Sequence, residues 1–144
     1  SASVEIGNTP VIISEDLKFV SKAKWEADKL AANKMLEAWR ADLETTDPES
    51  LRRHYSRNFK AMRGQNLSNW LDKVQQSNLG ARKISVSLRD VTLFRYPDQK
   101  DQKELIVAAF TQEATIGKGK HVTRKRQYWA KEGAQWKIVS EVNL

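Results

Sequence analysis

Leu79-Gly80-Ala81-Arg82-Lys83-Ile84-Ser85-Val86-Ser87-Leu88-Arg89 is where the chain changes its period. Before Gly80 the apolar residues recur at helical spacing. After it, Ile84, Val86 and Leu88 alternate with Ser85, Ser87 and Arg89, which is the period-two signature of a strand with one buried face. Gly80 stands where a left-handed helix cap is expected. A helical half followed by a run of strands predicts an α+β domain rather than alternating α/β units.

Upstream of Gly80 the pattern predicts three helices. From about Ser21 to Leu43, Ala32, Leu36, Trp39 and Leu43 form one apolar stripe among charged residues. Asp47-Pro48-Glu49 restarts a helix, because Asp is a good N-cap and Pro suits the first helical position. Leu51, Tyr55 and Phe59 share a face of that helix, which Gly64 breaks. Asn66 opens the third helix, with Trp70, Leu71 and Val74 on its apolar side. Ahead of these, Thr9 to Ile13 is a short β-branched run, read as an edge strand or a linker. Residues 1–13 are expected to be an extended segment and 14–144 the folded domain.

Downstream of Gly80 the strands have short, turn-like connections. Pro97-Asp98-Gln99, Gly117-Lys118-Gly119 and Gly133 separate four runs, which predicts an antiparallel meander of about four to six strands. The alternation slips at Asp90, as a β-bulge would make it. The run Leu105 to Phe110 is apolar on both faces. A sheet covered on one side alternates cleanly, so a second cover is expected: a dimer partner, another domain, or strong curvature.

At 144 residues the chain fits one domain. Its apolar share is 40% and its charged share 30%, which is globular rather than disordered composition. There are no cysteines, which excludes disulfides, thiolate metal sites and cysteine nucleophiles. No apolar run is long enough to span a bilayer. Ser1-Ala2 in place of an initiator Met reads as a trimmed start, so the expectation is a piece of a longer protein. The net charge of +7 favours anionic partners.

Catalytic constellations are missing from the sequence. It has no G-x-S-x-G elbow, no H-E-x-x-H, no P-loop and no Rossmann glycine fingerprint. His54 and His121 have no partners at metal-ligand spacing, and neither a metal nor a cofactor is expected. Glu113 is the acid of the second long strand. It is read as pairing with a nearby Lys or Arg rather than serving as a general base. Lys118 to Trp129 mixes cations and aromatics, as nucleic-acid surfaces do, yet a strand splits these residues between two faces. A solvated face is the preferred reading, and a nucleic-acid role ranks last. Trp39, Tyr55, Phe59, Trp70 and Phe110 could wall a pocket between helices and sheet.

The order of elements, with Leu36-Glu37-Ala38-Trp39 and His54-Tyr55-Ser56, resembles the nuclear transport factor 2-like (SnoaL-like) superfamily. Val86 to Val91, Phe94-Arg95-Tyr96-Pro97, Arg124 to Gly133 and Trp136-Lys137-Ile138-Val139 are similar to the C-terminal domain of bacterial murein L,D-transpeptidase-like proteins. The resemblance implies a cone of three helices under a curved antiparallel sheet, and a periplasmic accessory domain that is not itself an enzyme. It also implies two tasks: binding a peptidoglycan fragment or other anionic small ligand, or forming a homodimer or a contact with a catalytic domain through the outer sheet face. Gln112, Arg126 and Tyr128 would then contact the ligand. The superfamily also contains isomerases and dehydratases, so an enzyme is the alternative, with a purely structural dimerisation domain as another. His54, Tyr55 and Glu113 are the candidate groups for catalysis.

Overall fold

The first helix, α1 (Lys22–Leu43), buries Ala32, Leu36, Trp39 and Leu43 along one side, so the stripe read from the sequence is the face that meets the sheet. The structure is a computed structural model that describes residues 22–45, 47–61, 63–77, 83–96 and 104–144. The expected Thr9–Ile13 segment, the Gly80 cap and the Pro97-Asp98-Gln99 turn lie outside the described residues. The second helix, α2 (Pro48–Arg52), starts as predicted. The Asp47 carboxylate accepts from Glu49 N at 3.1 Å and from the Ser50 hydroxyl at 2.8 Å.

Helix α2 stops at Arg52, well before Phe59. The sheet recruits the backbone that follows. Ile138 N donates to His54 O at 2.8 Å, Ser56 N donates to Ile138 O at 2.8 Å, and Lys60 N donates to Val139 O at 3.1 Å. These bonds satisfy an edge strand, and a continued helix could not supply them. Tyr55 and Phe59 are still buried, with ring centroids 5.2 Å apart. Gly64 turns the chain at φ +78°, a conformation that suits glycine. Asn66 then caps α3 (Leu67–Ser77), its side chain accepting from Asn69 N at 2.9 Å.

Four strands follow: β1 (Ile84–Tyr96), β2 (Leu105–Ile116), β3 (Gly119–Glu132) and β4 (Gln135–Asn143). They form one antiparallel sheet in the order β1-β2-β3-β4. The helices followed by this curved, unclosed sheet are the α+β architecture that the change of period predicts. Two register shifts bend it. One lies between Arg89 and Thr92, the other opposite Tyr128 and Trp129. Each inserts one residue and exchanges the two faces beyond it.

Asp90 in the first bulge has φ +53°. A β-branched side chain there should be strained by about 1–2 kcal/mol. Asp90→Ile is therefore expected to lower stability by that amount in urea unfolding, and Asp90→Gly to leave it nearly unchanged. Equal stability of the two variants would count against strain at this site.

The inner face carries Ile84, Val86, Ile106, Ala108, Phe110, Trp129 and Ile138 into one core with Trp39, Leu51, Tyr55, Phe59, Trp70 and Leu71. At the outer edge of the sheet, Glu44 accepts from Val86 N at 2.8 Å and Arg40 donates to Val86 O at 3.0 Å. The apolar run on β2 is buried on both sides. Val107 faces outward, yet it is only 3% exposed. Its cross-strand neighbours Phe94 and Tyr128 flank it, so the chain's own side chains supply cover. Phe94 and Tyr96 remain 53% and 54% exposed on that face.

Candidate binding cleft

A cleft of about 460 Å³ opens between α1, α3 and the inner face of the sheet. This volume is in the range of small-molecule sites, about 300–1,000 Å³. Trp39 and Leu43 come from α1, Trp70 and Val74 from α3, and Ile84 and Val86 from β1. Gln112 and Ala114 on β2, His121, Thr123 and Lys125 on β3, and Glu141 on β4 complete the wall.

Glu141 is only 1% exposed. A lone carboxylate would be costly at such a depth. Four donors surround this one. Tyr55 OH donates to Oε1 at 3.0 Å and Gln127 Nε2 donates to it at 2.8 Å. Trp70 Nε1 and Lys125 Nζ donate to Oε2 at 3.0 and 2.8 Å. An ionised carboxylate offers about four lone-pair sites, so Glu141 is saturated. The network continues outward. Trp39 Nε1 donates to the Tyr55 hydroxyl at 3.1 Å and Trp129 Nε1 to Gln127 Oε1 at 3.2 Å. The Lys125 ammonium lies 5.6 Å from the rings of both Trp39 and Trp70, where it is held by cation–π attraction as well as by its ion pair.

Burial pushes the Tyr55 hydroxyl well above its ordinary pKa of 10.0, and the charge of Glu141 raises it further. The folded protein therefore retains this proton at pH values where the unfolded chain has lost it. The stability that Tyr55 contributes is complete below about pH 10 and is lost as the pH rises beyond that. The stability advantage of the native protein over Tyr55→Phe should shrink above pH 10 by up to about 1.4 kcal/mol per pH unit. Urea unfolding at pH 8, 10 and 11 measures it; a constant difference refutes the assignment.

Among the residues expected from sequence, Trp39, Tyr55, Trp70 and Gln112 meet at this cleft. Phe110 lies behind the wall, fully buried, with its ring 5.7 Å from Trp39. Phe59 lies on the far side of Tyr55, in a shallower groove with Arg52 and Arg57. Arg126 and Tyr128 do not reach the cleft. Gln112 pairs with Thr123 across the sheet, so the odd-numbered residues of β3 face inward and Arg126 and Tyr128 face outward. There Arg126 stacks 5.9 Å from the Tyr128 ring.

Glu113 is also on the outer face, paired with Arg89 at 3.1 Å and Lys120 at 3.4 Å. The Arg89 hydrogen bond holds its carboxyl below the ordinary value. His54 pairs with Asp42 at 2.5 Å, away from the cleft wall. His121 is an exposed rim residue.

Sequence reasoning missed Lys125, Gln127 and Glu141. The parity of β3 already groups Lys125 and Gln127 with Trp129. Glu141 had no such signal. Trp136 and Ile138 face inward, and strict alternation would send Glu141 outward. The shift opposite Tyr128 and Trp129 adds Val139 and turns Glu141 in.

The profile of the family described as the Cds6 C-terminal NTF2-like domain matches residues 31–142. The chain belongs to this family. Its members' fold recurs in solved structures. Bd1075 from Bdellovibrio bacteriovorus superposes with a TM-score of 0.73 at 23% identity, over 97% of this chain and 50% of that one. A variant of the helical cell shape determining protein Pgp2 from Campylobacter jejuni gives 0.68 at 15% identity, over 87% and 42%. A nuclear transport factor 2-like superfamily protein from Salmonella enterica serovar Typhimurium gives 0.66 at 17% identity, over 83% and 92%. At these identities the likeness is one of fold. The chain spans half or less of the length of Bd1075 and Pgp2. No curated protein sequence matches it. No described helix is long and apolar enough to cross a membrane, and no group of potential metal ligands occurs among the described residues.

Proposed function

We propose that this chain is a non-catalytic accessory domain of a periplasmic, peptidoglycan-processing protein, and that its cleft binds a cell-wall fragment. The saturated Glu141 carries the reading. Tyr55, Lys125 and Glu141 converge as an active site's groups would, but the carboxylate has no lone pair left to take a substrate proton. Lys125 is held as a cation between two indoles, and the Tyr55 hydroxyl is already engaged at both ends. The arrangement shapes a cleft whose three buried polar groups, Tyr55, Lys125 and Glu141, engage one another instead of standing free as base or nucleophile. The fold shared with a cell shape determining protein supports the cell-wall context. So does the similarity of the β1 and β3 strings to L,D-transpeptidase-like proteins, whose chemistry needs a cysteine that this chain lacks.

Purified muropeptides should change the fluorescence of Trp39 and Trp70, which line the cleft. Thr123→Trp, which places bulk in the cleft, should abolish the response. No change at millimolar muropeptide refutes binding.

A second reading has its own observation. Exposed Phe94 lies across from buried Val107 on the outer face, with exposed Tyr96 beside it along β1, as an assembly surface would have them. On this reading a second copy of the chain occupies it, and light scattering should show a dimer that Phe94→Arg disrupts. A monomer at every concentration dismisses it.

A further inference from the structure

The cleft's charges are balanced from within, and this bears on what it can hold. Lys125 and Glu141 cancel each other at 2.8 Å, and the two indoles flank the ammonium. Lys73 and His121 on the rim are exposed, where water and salt screen their fields. A carboxylate entering the cleft would lose its hydration and, among the described residues, meet Lys125 as the inward cation, already paired with Glu141. It would also add an anion beside Glu141. That combination is costly.

One polar atom in the wall lacks a partner. Gln112 Oε1 is buried and accepts no hydrogen bond. A buried acceptor left without a partner has lost its hydration with nothing in return. Gln112 itself is half-buried and lines the cleft, so a ligand there can reach this oxygen. What it needs is an N–H or O–H donor, and a carboxylate has none. Thr123 lies directly across the strand pair, adding a hydroxyl to the same spot. Beside them, Leu43, Val74, Ile84, Val86, Ala114 and Ile116 make the other side of the cleft apolar.

We propose that the cleft selects an uncharged amide flanked by a small aliphatic group, with the amide N–H donating to Gln112 Oε1, in preference to a free carboxylate. The ligand is then an internal or capped part of a peptide rather than its charged terminus. This rests on the binding reading above and specifies its chemistry.

The test uses two matched probes, N-methylisobutyramide, a methylamide with one N–H, and isobutyrate, a carboxylate with none. Nitrogen–proton spectra follow the indole N–H groups of Trp39 and Trp70 and the side-chain amide of Gln112. The methylamide should shift all three at millimolar concentration. The carboxylate should bind at least about tenfold more weakly, equivalent to 1.4 kcal/mol. Gln112→Ala should weaken the methylamide about fivefold, as loss of one neutral hydrogen bond does, without changing the carboxylate. Equal or tighter binding of the carboxylate overturns the selectivity and leaves the binding reading standing. If neither this pair nor muropeptides shift any cleft resonance, both fall together.

Discussion

Glu141→Gln should lower the melting temperature by roughly 10 °C, taking about 3–5 kcal/mol for a broken buried ion pair and about 2–4 °C per kcal/mol in a chain of this length. Gln keeps the shape of Glu but replaces a charged acceptor by an N–H₂ group. That group would face either Trp70 Nε1 and Lys125 Nζ or Tyr55 OH and Gln127 Nε2, each of which now donates to Glu141. The Lys125 ammonium would remain buried without its counter-ion. Lys125→Met in the same background should recover part of the loss, because an apolar side chain between two indoles needs no partner. The double variant should therefore be more stable than the sum of the single losses predicts. Thermal unfolding of the four proteins measures this. A Glu141→Gln protein melting within about 2 °C of the native one, under 1 kcal/mol by the same scaling, would show that the network contributes little.

Trp39→Ala should cost about as much, roughly 3–5 kcal/mol, for a different reason. Trp39 joins α1 to the sheet. Its ring packs on Phe110, its N–H donates to Tyr55, and its face attracts Lys125. Alanine leaves a cavity in the core and an unanchored hydroxyl beside Glu141. Trp25, near the start of the same helix, is a fair control. It is only half-buried, with Lys29 over its ring, and Trp25→Ala should cost under about 1 kcal/mol. Urea unfolding of both variants decides. Equal losses would mean that the cleft end of α1 is no more important to stability than its exposed start.

The fold was legible where a single period governs a segment. The Ala32-Leu36-Trp39-Leu43 stripe and the Ile84-Val86-Leu88 alternation each name a buried face, and both are buried in the structure. The cap at Asp47 was legible because capping is local chemistry. The end of α2 was not, since Tyr55 and Phe59 keep helical spacing while the backbone groups of His54, Ser56 and Lys60 bond to β4. The cleft was legible in its aromatic part for the same reason as the core. Its polar part was hidden by one inserted residue. Val139 reverses the alternation, and with it the identity of the buried acid. The choice of Arg126 and Tyr128 as cleft residues failed on simple parity, because Gln112 aligns with Thr123 and so with Lys125.

Both outer strands of the sheet have backbone groups held by other parts of the chain. Arg40 and Glu44 hold Val86 on β1, and the segment from His54 to Lys60 holds Ile138 and Val139 on β4. A free strand border is a template on which a neighbouring molecule can add its own strand. Guarding these positions restricts that route to fibre-like stacking. Such a domain can be crowded beside copies of itself, or fused to other modules, and meet them through side chains rather than by extending its sheet.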